Sequence, residues 1–211
     1  MIRRPPRSTL SSSSAASDVY KRQVVYVYFR HAGWATCQSF CNAYMDTDLH
    51  LSASSIGLLT SAGQVAAILA ALLSSRLIAR HSTGKMLITA TIGTGLSLLP
   101  LALLPHWTGA GLGRLGVQVL STIWITALQV YQMELVDAEW RSMSYGTISM
   151  AMGLGFGSLS LVGGYIIATY GYRSLFLLGT GLSLFSAALM WGILKYQNRA
   201  SIQMTVASTN E

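Results

Sequence analysis

Six stretches of the chain share one pattern: nineteen or more residues with few charges, closed by short polar joints. They run Val24–Met45, Ser55–Ala79, Met86–Leu104, Gly109–Gln132, Ser144–Tyr170 and Ser174–Leu194. The hydrocarbon core of a bilayer is ~30 Å thick and a helix rises ~1.5 Å per residue, so ~20 residues cross it. Each stretch meets that length, and none alternates apolar and polar positions as the strands of an outer-membrane barrel would. The pattern predicts an all-α, polytopic membrane protein: a six-transmembrane-helix bundle over residues 24–195. Ser52, with Ser54 or Ser55, is placed to cap the second helix. Pro105 closes the third, and Gly171–Arg173 separates the last two. The polar segment 196–211 is expected to be a disordered tail.

Composition strengthens the membrane reading. The chain of 211 residues is 52% hydrophobic and 10% charged, against about 25% charged in soluble domains. So little charge cannot cover a surface that faces water. The net charge of +7 hints at nucleic acid, but much of it lies at the front. Arg3, Arg4, Arg7, Lys21 and Arg22 against Asp18 give residues 1–23 a net of +4, leaving +3 for the rest. That remainder suits anchoring at a membrane face, and no nucleic-acid partner is expected.

Residues 1–23 lack the apolar stretch of a secretory leader. Met1–Thr9 and Ser13–Gln23 instead read back as codons resembling two adapters used in DNA library preparation, in order. Leu10, Ser11 and Ser12 fill the index position between them. The segment is expected to be artefactual, disordered and free of packed contacts, so that the natural chain enters at Val24.

Orientation follows from the basic residues of the joints. Arg76, Arg80, Lys85, Arg141, Lys195 and Arg199 fall on one side, and Arg114 and Arg173 on the other. The richer side is expected to be cytoplasmic, with the C-terminus there, in the cell (inner) membrane.

Polar residues within spans carry the functional information, because lipid penalises them unless they face a bundle interior or water. The third and sixth stretches hold no Asn, Gln, His or charged residue and suit lipid-facing scaffolding. The first holds Arg30, His31, Gln38 and Asn42. At 100° per residue, His31, Gln38 and Asn42 fall within about 40° of one another. The fourth holds Arg114, Gln118, Thr122, Gln129 and Gln132 along one stripe, and the second holds Gln64. A water-filled path along the fourth helix is the functional reading; amide cross-bonds between helices are the alternative.

Other motifs carry less. Gly111-Leu112-Gly113-Arg114-Leu115-Gly116 matches a dinucleotide fingerprint but follows no strand, so close helix packing is expected there. Gly153 and Gly157 form a small-xxx-small pair, which lets backbones approach. Cys37 and Cys41 are too few for a zinc site and read as small packing residues. No nucleophile–base pair, carboxylate pair or metal cluster lies within the spans. The protein is therefore expected to be no enzyme and to need no cofactor or metal.

Taken together, these features resemble the Major Facilitator Superfamily. In that family each half has six helices, the first and fourth lining the cavity and the third and sixth facing lipid. The joint Ser75–Lys85, with Arg80, Gly84 and Lys85, is similar to the family's basic loop but lacks its acid, as in second halves. Glu134–Arg141 followed by Gly146 resembles the acid–Arg–Gly joint of a second half. The resemblance implies transport of a small solute by alternating access, coupled or not to a proton or ion, with the site between two halves. The chain would then be a fragment whose partner is an N-terminal six-helix half. It implies cavity residues Arg30, Gln38, Asn42, Gln64, Gln118, Thr122 and Gln129, and a cytoplasmic gate of Arg76, Arg80, Glu134, Glu139 and Arg141. The alternative is a non-transporting six-helix scaffold or assembly protein.

Source DNA read without library adapters is expected to lack codons 1–23; their presence in clean genomic DNA would refute the adapter origin.

Overall fold

The computed structural model describes residues 8–136 and 138–209, with side chains over 20–136 and 139–196. The elements are α1 (Ser8–Thr47), α2 (Ala53–Arg80), α3 (Thr83–Leu103), α4 (Trp107–Leu135), a 3-10 turn at Ala138–Trp140, and α5 (Arg141–Thr209). All described elements are helical. By length and composition four stretches suit a membrane crossing: α2, α3, α4 and the Arg141–Tyr196 part of α5. α1, which contains the expected first span, is not among them, because Arg30, His31, Gln38 and Asn42 dilute its apolar character.

The 69 residues of α5 would reach ~100 Å if straight, far beyond one bilayer. The helix does not run straight. Gly171 adopts φ 77° and ψ 170°, a non-helical conformation, in a region that L side chains rarely enter. The two arms, 141–170 and 172–209, fold back on each other. A Cβ at Gly163 would lie 3.4 Å from Leu175, whereas residues twelve apart in a straight helix are ~18 Å apart. The residues of the fifth and sixth expected spans fall within these two arms, and the expected joint contains the breaking glycine.

Ser52 caps α2 as expected, its Oγ accepting from the Ser55 N–H at 3.3 Å. Both outer boundaries differ from expectation. α1 begins at Ser8, well before Val24, and no Gly or Pro separates the two. Tyr20–Gln23 are packed, contrary to the absence of contacts expected for residues 1–23. The Tyr20 hydroxyl donates to the Ser144 carbonyl at 3.1 Å, Arg22 lies over the Tyr196 ring, and Gln23 is buried. Met1–Arg7 lie outside the described residues. At the other end α5 continues to Thr209, into the segment expected to be unstructured, since no Gly or Pro follows Gly192 to end it.

Chain direction gathers the joints at two ends. Thr83 Oγ1 donates to Glu134 Oε1 at 3.1 Å and Gly84 meets Leu194. The starts of α3 and α5 therefore share an end with the finishes of α2 and α4. Arg76, Arg80, Lys85, Arg141 and Lys195 belong to that end. At the other, Thr47 Oγ1 donates to Tyr172 Oη at 3.2 Å and the Tyr44, Tyr172 and Phe176 rings meet.

The core lies among α1, α3, α4 and α5, with Tyr26, Leu87, Trp124, Leu128, Ile148 and Met190 in one buried cluster. α2 packs mainly on α4. Its Leu58, Val65, Ile68, Leu69, Leu72 and Leu73 point outward, as lipid contact allows. α3 was expected to face lipid; instead half of its apolar stretch is buried, against 17% for α2. Its polarity resides in threonines, and Thr91 and Thr94 donate to their own backbone at Leu87 and Ala90. A hydroxyl so engaged can be buried at little cost.

The glycines divide sharply. Gly113 and Gly116 of the dinucleotide-like run abut Leu101 and Ser97 of α3, so close packing is their use. The expected Gly153/Gly157 approach is not made: a Cβ at either would meet nothing within 4 Å. The close approach is at Gly155, where a Cβ would collide with the Tyr28 carbonyl oxygen of α1. The four-residue spacing put Gly153 and Gly157 on one face, but α1 packs on the opposite one. Gly155→Ala is therefore expected to lower the thermal unfolding temperature in detergent, as is Gly171→Ala, which is strained by roughly 1–3 kcal/mol. Gly153→Ala should leave it unchanged or raise it, by up to ~1 kcal/mol of helix propensity.

Candidate functional site

Arg30 is the centre of the candidate site. It is 1% exposed, and its guanidinium joins three helices. Arg30 Nη2 donates to Thr94 Oγ1 of α3 at 3.2 Å and to Ser121 Oγ of α4 at 3.1 Å. Its guanidinium carbon stands 4.8 Å from the centroid of the Trp124 ring. Ser121 is the midpoint of α4, and Thr94 lies one residue past that of α3, which sets the charge deep in the apolar layer.

One turn along each helix, a second junction repeats the pattern. The Trp124 indole N–H can only donate, so Tyr26 Oη accepts from it. Thr91 Oγ1 lies 3.0 Å from Tyr26 Oη and gives its own proton to Leu87 O. Tyr26 must therefore be the donor to Thr91. The sense of the chain, Trp124 to Tyr26 to Thr91 to Leu87, is fixed by the indole donor at one end and the Leu87 carbonyl acceptor at the other.

Beside Arg30 is a cavity of about 260 Å³ between α1 and α4, lined by Arg30, His31, Trp34, Gln118, Ser121, Thr122, Trp124 and Ile125. His31 packs edge-on to Trp34 and against Trp124, at 5.4 and 5.1 Å between ring centres. Arg30 Nε and Trp34 Nε1 are buried without hydrogen-bond partners. A buried unpaired donor is costly, so these atoms mark where a ligand or water gains most. Of the cavity residues expected from sequence, Arg30, Gln118 and Thr122 meet here. Gln118 Nε2 donates to Gln64 Oε1 at 3.3 Å, which attaches α2 to the rim. Gln38 is half-buried with Oε1 unpartnered, further along α1, and Asn42 is exposed.

Gln129 is also exposed and lines a different cavity, of about 500 Å³, with Gln132, Arg141, Ser144 and Tyr145. That space flanks the joint between α4 and α5, at the same end as the expected gate residues. Arg141 donates to the Val136 and Met133 carbonyls, Glu134 accepts from Thr83, and Arg76, Arg80 and Glu139 are exposed. Asp137 lies outside the described residues.

The helix pair that lines the smaller cavity, with its mid-helix cation, lies largely within the stretch matched by the sequence profile of a known family. The profile described as Major Facilitator Superfamily matches residues 29–203. The chain belongs to the Major Facilitator Superfamily. Its members are membrane transporters of small molecules, coupled to ions or protons, and this chain is an integral membrane protein. No curated protein matches the sequence.

The candidates read from the sequence do not include Trp124, Ser121, Thr91 or Thr94. The sequence placed Arg114 on the polar stripe without a partner. Arg114 is buried, reaches the thiols of Cys37 and Cys41, and keeps Nη1 unpartnered. Both cysteines are free and buried.

Trp124→Phe removes the donor to Tyr26 and weakens the ring face under Arg30. It is expected to destabilise the chain by about 1–2 kcal/mol, read as a lower unfolding temperature in detergent. Trp140→Phe, at an exposed ring, should show no such shift.

Proposed function

We propose that the chain forms a six-helix transmembrane unit that carries a small solute by alternating access, paired with a second six-helix unit across the cavity between α1 and α4. The six helices are α1 to α4 and the two arms of α5. The observation that carries this reading is the cavity itself, where Arg30, Gln118 and Thr122 converge at mid-helix depth. Polar groups are tolerated there only where protein or water satisfies them, and a solute path supplies the water. Gln38 and Asn42 continue the path along α1 toward the Thr47 end, and Gln64 borders it from α2. Gln129 lies toward the opposite end.

The end that gathers Arg76, Arg80, Lys85, Arg141 and Lys195 faces the cytoplasm of the cell (inner) membrane, by the excess of basic residues. Arg76, Arg80, Glu134, Glu139 and Arg141 there form the gate, through contacts that rearrange as the two units rock. In this reading the C-terminus is cytoplasmic, and a proton or ion can accompany the solute.

Accessibility tests the proposal without knowledge of the solute. In cells expressing the protein, a cysteine introduced by Gln118→Cys is expected to react with a membrane-impermeant maleimide, while Leu72→Cys on the outer face of α2 does not. Gln118→Ala should impair transport with expression nearly unchanged, since an interhelical amide contact is worth only ~0.6 kcal/mol on average. Equal, negligible labelling at both positions would overturn the water-filled path.

A further inference from the structure

We propose that the solute is a small organic anion, whose acidic group is held by Arg30; this rests on the transport reading above. Arg30 is a fully buried cation deep between helices, and its contacts are two hydroxyls and an aromatic face. Hydroxyls and a ring orient a guanidinium but leave its charge uncompensated. Nε is unpartnered, and the residue lines the cavity. A buried charge at membrane depth ordinarily has a partner of opposite sign.

The chain offers little to supply one. Beyond residue 23 its acids are Asp46, Asp48, Glu134, Asp137, Glu139 and Glu211, all in joints, at helix ends or in the tail. Arg114 adds a second buried cation on the same face of α4, one turn from Gln118, with Nη1 unpartnered. The residues that line the cavity thus include the Arg30 cation and no carboxylate. Its walls select further. His31, Trp34, Trp124 and Ile125 give apolar and aromatic surface, which suits an apolar body behind the charged group. At about 260 Å³ the cavity lies just below the usual range of ligand pockets, ~300–1,000 Å³, so the anion is small. A guanidinium fork reads a carboxylate through paired hydrogen bonds, which a lysine cannot do.

The test is equilibrium binding of radiolabelled benzoate to the full chain in lipid nanodiscs. Benzylamine and benzamide serve as cationic and neutral isosteres, and succinate and inorganic phosphate as further anions. Saturable benzoate binding is expected, competed by succinate more than by either isostere. Arg30→Gln should weaken it roughly ten- to a hundredfold, the equivalent of one charge-assisted hydrogen bond. Arg30→Lys, which keeps the charge, should weaken it less and retain selectivity over benzylamine; it also serves where Arg30→Gln fails to fold. Undiminished benzoate binding to a folded Arg30→Gln variant, preference for benzylamine or benzamide, binding of phosphate alone, or binding of none of the anions would each overturn the assignment. The transport reading stands or falls separately, on maleimide labelling at position 118.

Discussion

A guanidinium placed between helices in hydrocarbon must be held from several sides at once, and the arrangement of α1, α3 and α4 follows from that need. A cation at the centre of a membrane helix costs at least ~2.5–3.5 kcal/mol. Thr94, Ser121 and the Trp124 face offset that cost for Arg30 only if all three helices keep their register. The Trp124–Tyr26–Thr91 junction one turn away depends on the same register. In lipid there is no hydrophobic drive between helices, so such polar junctions decide which faces meet. The cavity is the by-product: α1 and α4 are pinned on the α3 side and remain apart on the other.

Close backbone contact does the complementary work. Gly155 lets the first arm of α5 lie on the α1 backbone at Tyr28, and Gly113 and Gly116 let α4 lie on α3. Two kinds of contact thus share the bundle. Hydroxyl and guanidinium bonds set rotation about each helix axis, and glycines set the distance between axes.

Much of this was legible in the sequence, for identifiable reasons. Hydropathy locates α2, α3 and α4 to within three residues at each end, because apolar length is a property of one segment alone. The break at Gly171 was legible because a Gly-Tyr-Arg joint between two apolar runs has few other uses. The stripe on α4 led to Gln118 and Thr122 beside Arg30. Pairings between segments were not legible. Thr91, Thr94 and Ser121 look like neutral filler until their partners, more than sixty residues distant in the chain, are brought to them. Gly153 and Gly157 show the same limit: spacing identifies a face but not what packs on it. α3 misled for a related reason, since threonines that bond their own backbone allow a helix to be central without amides or charges.

The reversal at Gly171 also bears on how the chain enters a bilayer. Its arms share a buried cluster, Ile148 and Ala151 with Met190 and Ile193, so they are suited to partition together as one unit with the reversal leading. The apex carries Arg173. In the proposed orientation that single positive charge is delivered outward, against an inside-negative potential, at a cost of roughly 2.3 kcal/mol per 100 mV. The burial of two long apolar arms supplies the drive. Insertion of this pair would thus be opposed by the membrane voltage, and the burden is kept small because the apex is short and holds one charge.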